Sequence, residues 1–90
     1  MSLTLIELVN VHTPEDFYEQ LEAQLELEYA LGHNLDAVYD ALSGEVAGPV
    51  QILWHESGFS RVALDDWYLR VIDVLHTIAA ERPDFTLSLE

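Results

Sequence analysis

The stretch "HNLDAVYDALSG" at residues 33–44 has the features of one short helix and decides the interpretation of the rest of the chain. Asn34, or alternatively His33, can cap its beginning, and Gly44 is placed to end it. At about 100° per residue, its apolar positions share one direction and predict a side that faces a core: Leu35, Val38 and Leu42.

Two aspartates of this stretch lie together on a flank of the predicted helix. Asp36 and Asp40 are four residues apart, a spacing at which like charges repel by roughly 0.2–0.5 kcal/mol. The helix dipole favours Asp36 in the first turn, but Asp40 lies further in, where aspartate is a poor helix former. Ser43 lies beside the pair and Tyr39 borders it. From spacing alone, a solvated face and a binding patch both explain this arrangement.

Three segments outside the helix have the length and composition of strands: 3–11, 49–54 and 85–89. Helical patterns separate them, in the order β-α-α-β-(α)-α-β. Strands separated by helices need crossover connections, which produce parallel pairing. The sequence therefore predicts an α/β fold with a three-stranded parallel sheet packed by three to four helices.

The first predicted helix begins with a cap at Thr13 and proline at its first position, Pro14. Its core-facing stripe consists of Phe17, Leu21 and Leu25. Its opposite side carries four glutamates, which we interpret as a solvated face: Glu15, Glu19, Glu22 and Glu26.

The last predicted helix begins with a cap at Asp65 and runs to about Arg82, where Pro83 stops it. Its apolar stripe consists of Tyr68, Val71, Ile72, Leu75, Ile78 and Ala79. The segment 55–63 before it fits either a loop or a short helical turn.

Length and composition predict one small globular domain spanning 1–90. Half of the 90 residues are hydrophobic and occur in periodic runs, which argues against disorder. The chain has no cysteine, which excludes disulfides and cysteine-based zinc sites. It has no apolar run of membrane-spanning length, and its beginning lacks the basic region and cleavage site of a secretory signal. We therefore expect no membrane association and a cytoplasmic location.

The charge balance is strongly acidic. Seventeen acidic residues face three arginines and no lysine, for a formal net charge of −14. Such a field repels nucleic acid and anionic lipid and favours a basic protein partner. The same charge also keeps a small domain soluble.

Residue types for catalysis or metal binding occur without the spacing that such sites need. No glycine-rich phosphate loop or EF-hand series is present, and three histidines are scattered over different elements: His12, His55 and His76. His33 lies three residues before Asp36 and offers only a partial metal site. We predict no enzyme activity, no cofactor and no metal. A metal-binding or small-molecule enzyme domain stays open as a distant alternative, which calorimetry with calcium, magnesium and zinc would test.

The segment "GHNLDAVYDALSG" at 32–44 resembles the most characteristic stretch of the barstar family, the small inhibitors of barnase-type ribonucleases. That family has a Gly-x-Asn-Leu-Asp-Ala-Leu-Trp-Asp core followed by Thr-Gly or Ser-Gly. The resemblance continues through Pro49 and Trp54 in the second strand and through Asp84 and Thr86 at the last strand. With matching lengths between these landmarks, it covers essentially the whole chain.

The resemblance implies an intracellular inhibitor that plugs a ribonuclease active site with its second helix and the preceding loop. By position, Asp40 would be the central anchor, Asp36 would pair with a neighbouring basic residue, and Leu35 would make an apolar contact. Ser43 would offer a hydrogen bond, and Gly44 would permit close approach. The implied partner is one basic, extracellular-type, guanyl-preferring ribonuclease or related nuclease toxin, bound one to one, with no direct contact to nucleic acid.

Several positions depart from the family's best-known member. Tyr39 replaces a tryptophan, and Glu45 stands at the place of another. Gap-free alignment puts Tyr29 one position before the loop aromatic of the family. An interface acid on the last helix aligns with Thr77, and Asp73 lies one turn earlier. These departures fit a homologue with a different partner, so a barstar-like acidic module that binds a non-nuclease basic protein stays an alternative.

Overall fold

The computed structural model describes residues 3–90, which form three strands and four helices around one sheet. The strands are β1 (Thr4–Leu8), β2 (Val50–Trp54) and β3 (Phe85–Leu89). The helices are α1 (Pro14–Gln24), α2 (Leu35–Asp40), α3 (Ser57–Leu64) and α4 (Asp66–Glu81). A π-helical turn, Ala41–Glu45, continues α2 without a break.

The sheet has the strand order β1-β2-β3 with both pairs parallel, which confirms the predicted α/β fold. Its register aligns Thr4 with Val50 and Val50 with Phe85. Alternate residues of β1 are buried and exposed, so the helices cover one face of the sheet and the other face is open. The covered face presents Ile6, Leu8, Val50, Ile52, Trp54 and Phe85 to the core.

Strand β1 is shorter than the predicted 3–11. It ends at Leu8, and Asn10 takes a left-handed backbone conformation with φ 52°. Asparagine tolerates this conformation better than most residues, and the turn that it makes directs the chain towards α1. The apolar run could not reveal this early end because Val9 and Val11 continue the β-favouring composition.

Helix α1 begins as the sequence predicts. The Thr13 hydroxyl accepts the Asp16 N–H at 3.1 Å, and the Asp16 carboxylate accepts the Thr13 N–H at 3.1 Å. This reciprocal capping box satisfies two backbone donors at the helix start. A further hydrogen bond from the His12 N–H to the Asp16 carboxylate is the main cause that lowers the pKa of Asp16.

The ambiguous segment 55–63 contributes to a helix, α3, and Asp65 separates it from α4. Asp65 stands at the first position before α4, but its side chain makes no capping hydrogen bond. The predicted side-chain cap is therefore wrong. Asp65 has φ 54°, and its N–H completes the end of α3 by donating to the Arg61 carbonyl. The backbone of Asp65 thus makes the turn between α3 and α4.

Candidate protein-binding site

Helix α2 turns its apolar side to the core and its acids to the outside. Val38 and Leu42 are fully buried, while Asp36 and Asp40 are exposed. The Asn34 side chain accepts the Ala37 N–H at 2.7 Å, so Asn34 is the cap and His33 is not. The burial of one side fixes the direction in which the two carboxylates point.

Gly44 does not end this helix as predicted. The chain continues as a π-helical turn to Glu45, and the Val46 N–H donates to the Ala41 carbonyl at 3.1 Å. No glycine among residues 3–90 has a positive φ, so a glycine-terminated helix end is absent from this part of the chain. The helical segment ends instead where Val46 becomes extended.

The loop 25–34 is tied to α1 by two of the glutamates that we predicted to be solvated. Glu22 is half-buried and accepts the Leu31 N–H at 2.7 Å. The His33 imidazole lies 2.8 Å from the Glu15 carboxylate and stacks on Tyr18 with ring centroids 5.1 Å apart. The predicted solvated face is therefore wrong for Glu22, which is half-buried, whereas Glu15 is exposed as predicted and also contacts His33 of the loop.

The anchored loop and α2 enclose a small groove. It has a volume of about 170 Å³, below the roughly 300–1,000 Å³ of typical small-molecule pockets. It is lined by Leu27, Tyr29, Ala30, Leu31, Gly32, Ala37, Asp40, Ala41 and Glu45. Tyr29 and Asp40 thus line the same groove, although Tyr29 stood one position out of alignment.

The groove carries two carboxylates, Asp40 and Glu45, and no cationic residue among its lining. Gly32 allows the loop to come this close to α2, because a Cβ there would lie only 3.1 Å from the Ala37 Cβ. The two carboxylates favour a positively charged side chain as the occupant of the groove.

The remaining candidates on α2 and its π-helical turn lie around the groove but do not line it. Asp36 is one turn before Asp40 on the same side of α2. Leu35 is half-buried and packs against the core, so only part of it is available to a partner. Ser43 is half-buried, and Gly44 is exposed with open space where a Cβ would be.

The two candidates on α4 are exposed, but neither lines the groove. The Thr77 hydroxyl donates to the Asp73 carbonyl at 2.9 Å, so it is already satisfied within the helix. One turn further along α4, Glu81 accepts a hydrogen bond from the Tyr39 hydroxyl of α2. This hydrogen bond raises the pKa of Tyr39.

The sequence did not point to Glu81, and it marked Glu45 only as a difference from the best-known family member. Glu81 follows Thr77 by four residues, a spacing that could have placed it on the same side of α4. Glu45 could not be assigned from spacing, because the π-helical turn shifts it relative to a regular helix.

Within residues 3–90, no group of three or more histidine and acidic side chains is arranged to hold a metal ion. No helix in the same range is both long and apolar enough to cross a bilayer.

The fold and site are those of a small single-sheet α/β protein with an acidic helix beside a small acidic groove. A family model described as "Barstar (barnase inhibitor)" matches residues 1–90, the whole chain, and the chain therefore belongs to the barstar family. The predicted family resemblance is confirmed, and with it a function of the barnase-inhibitor kind is implied for the chain.

Proposed function

We propose that this protein inhibits a guanyl-preferring, barnase-type ribonuclease or a related nuclease toxin by docking its acidic α2 face onto the basic active site. The observation that carries the proposal is the acidic groove that Tyr29 and Asp40 both line. An RNase active site presents cations that bind RNA phosphates, and rigid carboxylates can imitate those phosphates. The complex of barnase with its inhibitor, which comes from this same family, is the known example of a large charge effect on binding.

Most of the candidate residues then have a role in the proposed complex. Asp40 is the central anchor, Asp36 pairs with a neighbouring cation, and Tyr29 covers the groove from the loop. Ser43 and Gly44 allow the enzyme to approach the end of α2. A partner that spans from α2 to α4 would also meet Asp73 and Thr77.

A second candidate function is a protein-binding module for a basic partner that is not a nuclease. Glu45 favours this alternative, because it puts a second carboxylate into the groove where the best-known family member has a tryptophan. Anchoring acids shared with a family can serve a new partner when the surrounding contacts change.

The test is inhibition of RNA cleavage by a barnase-type ribonuclease with increasing amounts of the protein. Wild-type protein is expected to inhibit at near-stoichiometric amounts, and Asp36→Asn/Asp40→Asn is expected to lose at least about a hundredfold in affinity, as for close charge pairs in this kind of complex.

The matched control is Glu19→Gln/Glu26→Gln, which removes the same two charges from exposed positions on and just after α1. It should inhibit nearly as well as wild type, because only long-range attraction is reduced. An equal loss of affinity in the two double variants would show that only the total charge matters. No inhibition by wild type would reject a nuclease of this kind as the partner and favour the second candidate.

A further inference from the structure

The side chain of Arg82 connects the π-helical turn that follows α2 to the residue before β3. It lies at the end of α4 and is only 15% exposed. Its Nη1 donates to the Leu42 carbonyl at 2.7 Å, and its Nε donates to the Asp84 carboxylate at 2.6 Å. Asp84 in turn precedes β3, and its carbonyl accepts the Val50 N–H of β2 at 2.8 Å. The Arg82 guanidinium therefore connects the helical segment 35–45, which is α2 with its π-helical turn, to the sheet.

The Leu42 carbonyl needs this donor because of the π-helical turn. In a regular α-helix it would accept the N–H of Val46, four residues later. Here the Val46 N–H donates to Ala41 instead, at 3.1 Å. The carbonyls in the last turn of a helix lack partners within the helix, and those that are partly buried are costly to leave unpaired. Arg82 provides the missing hydrogen bond from another element.

Glu81 and Arg82 contact residues on either side of Asp40 in the sequence. Glu81 accepts the hydrogen bond of Tyr39, directly before Asp40. Arg82 binds the carbonyl of Leu42, two residues after Asp40. The end of α4 thus holds the helical segment 35–45 on both sides of the proposed anchor, through residues that do not line the groove.

We infer that Arg82 is a positioning residue for the acidic face: through the Leu42 carbonyl it sets the orientation in which Asp40 meets a basic partner, without touching that partner. The inference rests on the proposed function. The positive charge of Arg82 is matched by Asp84, and the hydrogen bond from Arg82 lowers the pKa of the Asp84 carboxyl. Arg82 therefore holds the Leu42 carbonyl while its positive charge is balanced by Asp84, so it does not reduce the negative charge of Asp36 and Asp40.

The test compares Arg82→Gln with Arg70→Gln in the kinetics of binding to a barnase-type ribonuclease. Both variants remove one positive charge, and Arg70 is exposed on α4. A more negative protein associates with a basic partner faster or equally fast, so the charge change alone cannot weaken the complex. We expect Arg82→Gln to raise the dissociation rate about tenfold and Arg70→Gln to leave it nearly unchanged.

A double-mutant cycle separates positioning from general damage to the fold. If Arg82 acts through Asp40, Arg82→Gln should raise the dissociation rate much less in an Asp40→Ala background than in wild type. Equal effects in the two backgrounds, or equal effects of Arg82→Gln and Arg70→Gln, would overturn the inference.

Amide hydrogen exchange of the free protein tests the inference even if wild type binds no such nuclease, an outcome that would reject only the proposed function. Arg82→Gln should speed exchange of the Val46 amide about tenfold or more relative to amides of α1, and Arg70→Gln should not. Unchanged exchange at Val46, or equal acceleration across the molecule, would contradict a positioning role.

Discussion

His33 lies directly before the cap of α2, and its imidazole connects the loop to α1. The ring lies 2.8 Å from Glu15 and 3.7 Å from Glu22. The hydrogen bond with Glu15 is the main cause that raises the pKa of His33 above its ordinary value of 6.5, and Glu22 adds to it. Because Glu22 also accepts the Leu31 N–H, the charge of His33 bears on the shape of the loop that lines the groove.

We predict that the His33 contacts stabilise the protein at lower pH and lose this effect as pH rises. The folded-state pKa is above the unfolded value of 6.5, so the stabilisation is complete below pH 6.5 and disappears as pH increases through the folded-state pKa. Urea unfolding from pH 5.5 to 8.5 should show wild type losing stability relative to His33→Gln. A difference between the two proteins that stays constant over this range would contradict the prediction.

At the scale of elements, α1 protects the outer edge of β1. The Gln24 amide accepts the Glu7 N–H at 2.8 Å and donates to the Glu7 carbonyl at 2.9 Å. Gln20 makes the same pair with Val9, at 2.9 and 2.6 Å. The two side-chain amides thus take the place of a neighbouring strand, which removes an edge on which another chain could pair.

We predict that Gln20→Ala/Gln24→Ala lowers the free energy of unfolding by about 1–3 kcal/mol. The variant loses the four hydrogen bonds to Glu7 and Val9 and the one from the Gln24 amide to the Gln20 carbonyl, but water replaces part of them. The opened edge should also increase aggregation during refolding. Urea unfolding and light scattering measure the two effects. Glu19→Ala, an exposed change on the same helix, is the control, and identical behaviour of the two variants would show that the glutamines do not protect the edge.

At the scale of the whole molecule, the charge of −14 is spread over a chain with only three arginines. One of them, Arg82, is paired with Asp84. The other close contacts of acids with cationic groups within residues 3–90 involve histidines, which carry charge only when protonated. At neutral pH, repulsion among carboxylates therefore outweighs attraction in the folded state.

We predict that NaCl stabilises the protein, because screening shortens the range of this repulsion from about 30 Å at 0.01 M to about 3 Å at 1 M. Thermal unfolding at pH 8 should shift to higher temperature with salt. The shift should be smaller for Glu19→Gln/Glu26→Gln, which carries two fewer charges. A lower unfolding temperature in salt would mean that the ion pairs, rather than the repulsion, dominate.

Much of the fold could be predicted from local pattern. The cap at Thr13, the apolar stripe of α4 and the stop before Pro83 act through interactions between near neighbours in sequence, so the elements that they define are found where expected. The same holds for Asn34 as the cap of α2. The predicted helix end at Gly44 and the predicted side-chain cap at Asp65 were wrong. Both depend on which backbone groups of the surrounding chain are available for hydrogen bonds.

The sequence by itself determined the α/β class, the family and the exposure of Asp36 and Asp40 on one helix, because these follow from periodicity and motif. Only the tertiary structure placed Tyr29 and Asp40 in the lining of one groove, joined Glu15 and Glu22 to the loop, and brought Arg82 to the Leu42 carbonyl. The physical reason is that these contacts join residues up to 40 positions apart. Spacing along one helix carries no information about which side chain of another element will satisfy a carbonyl or close a groove.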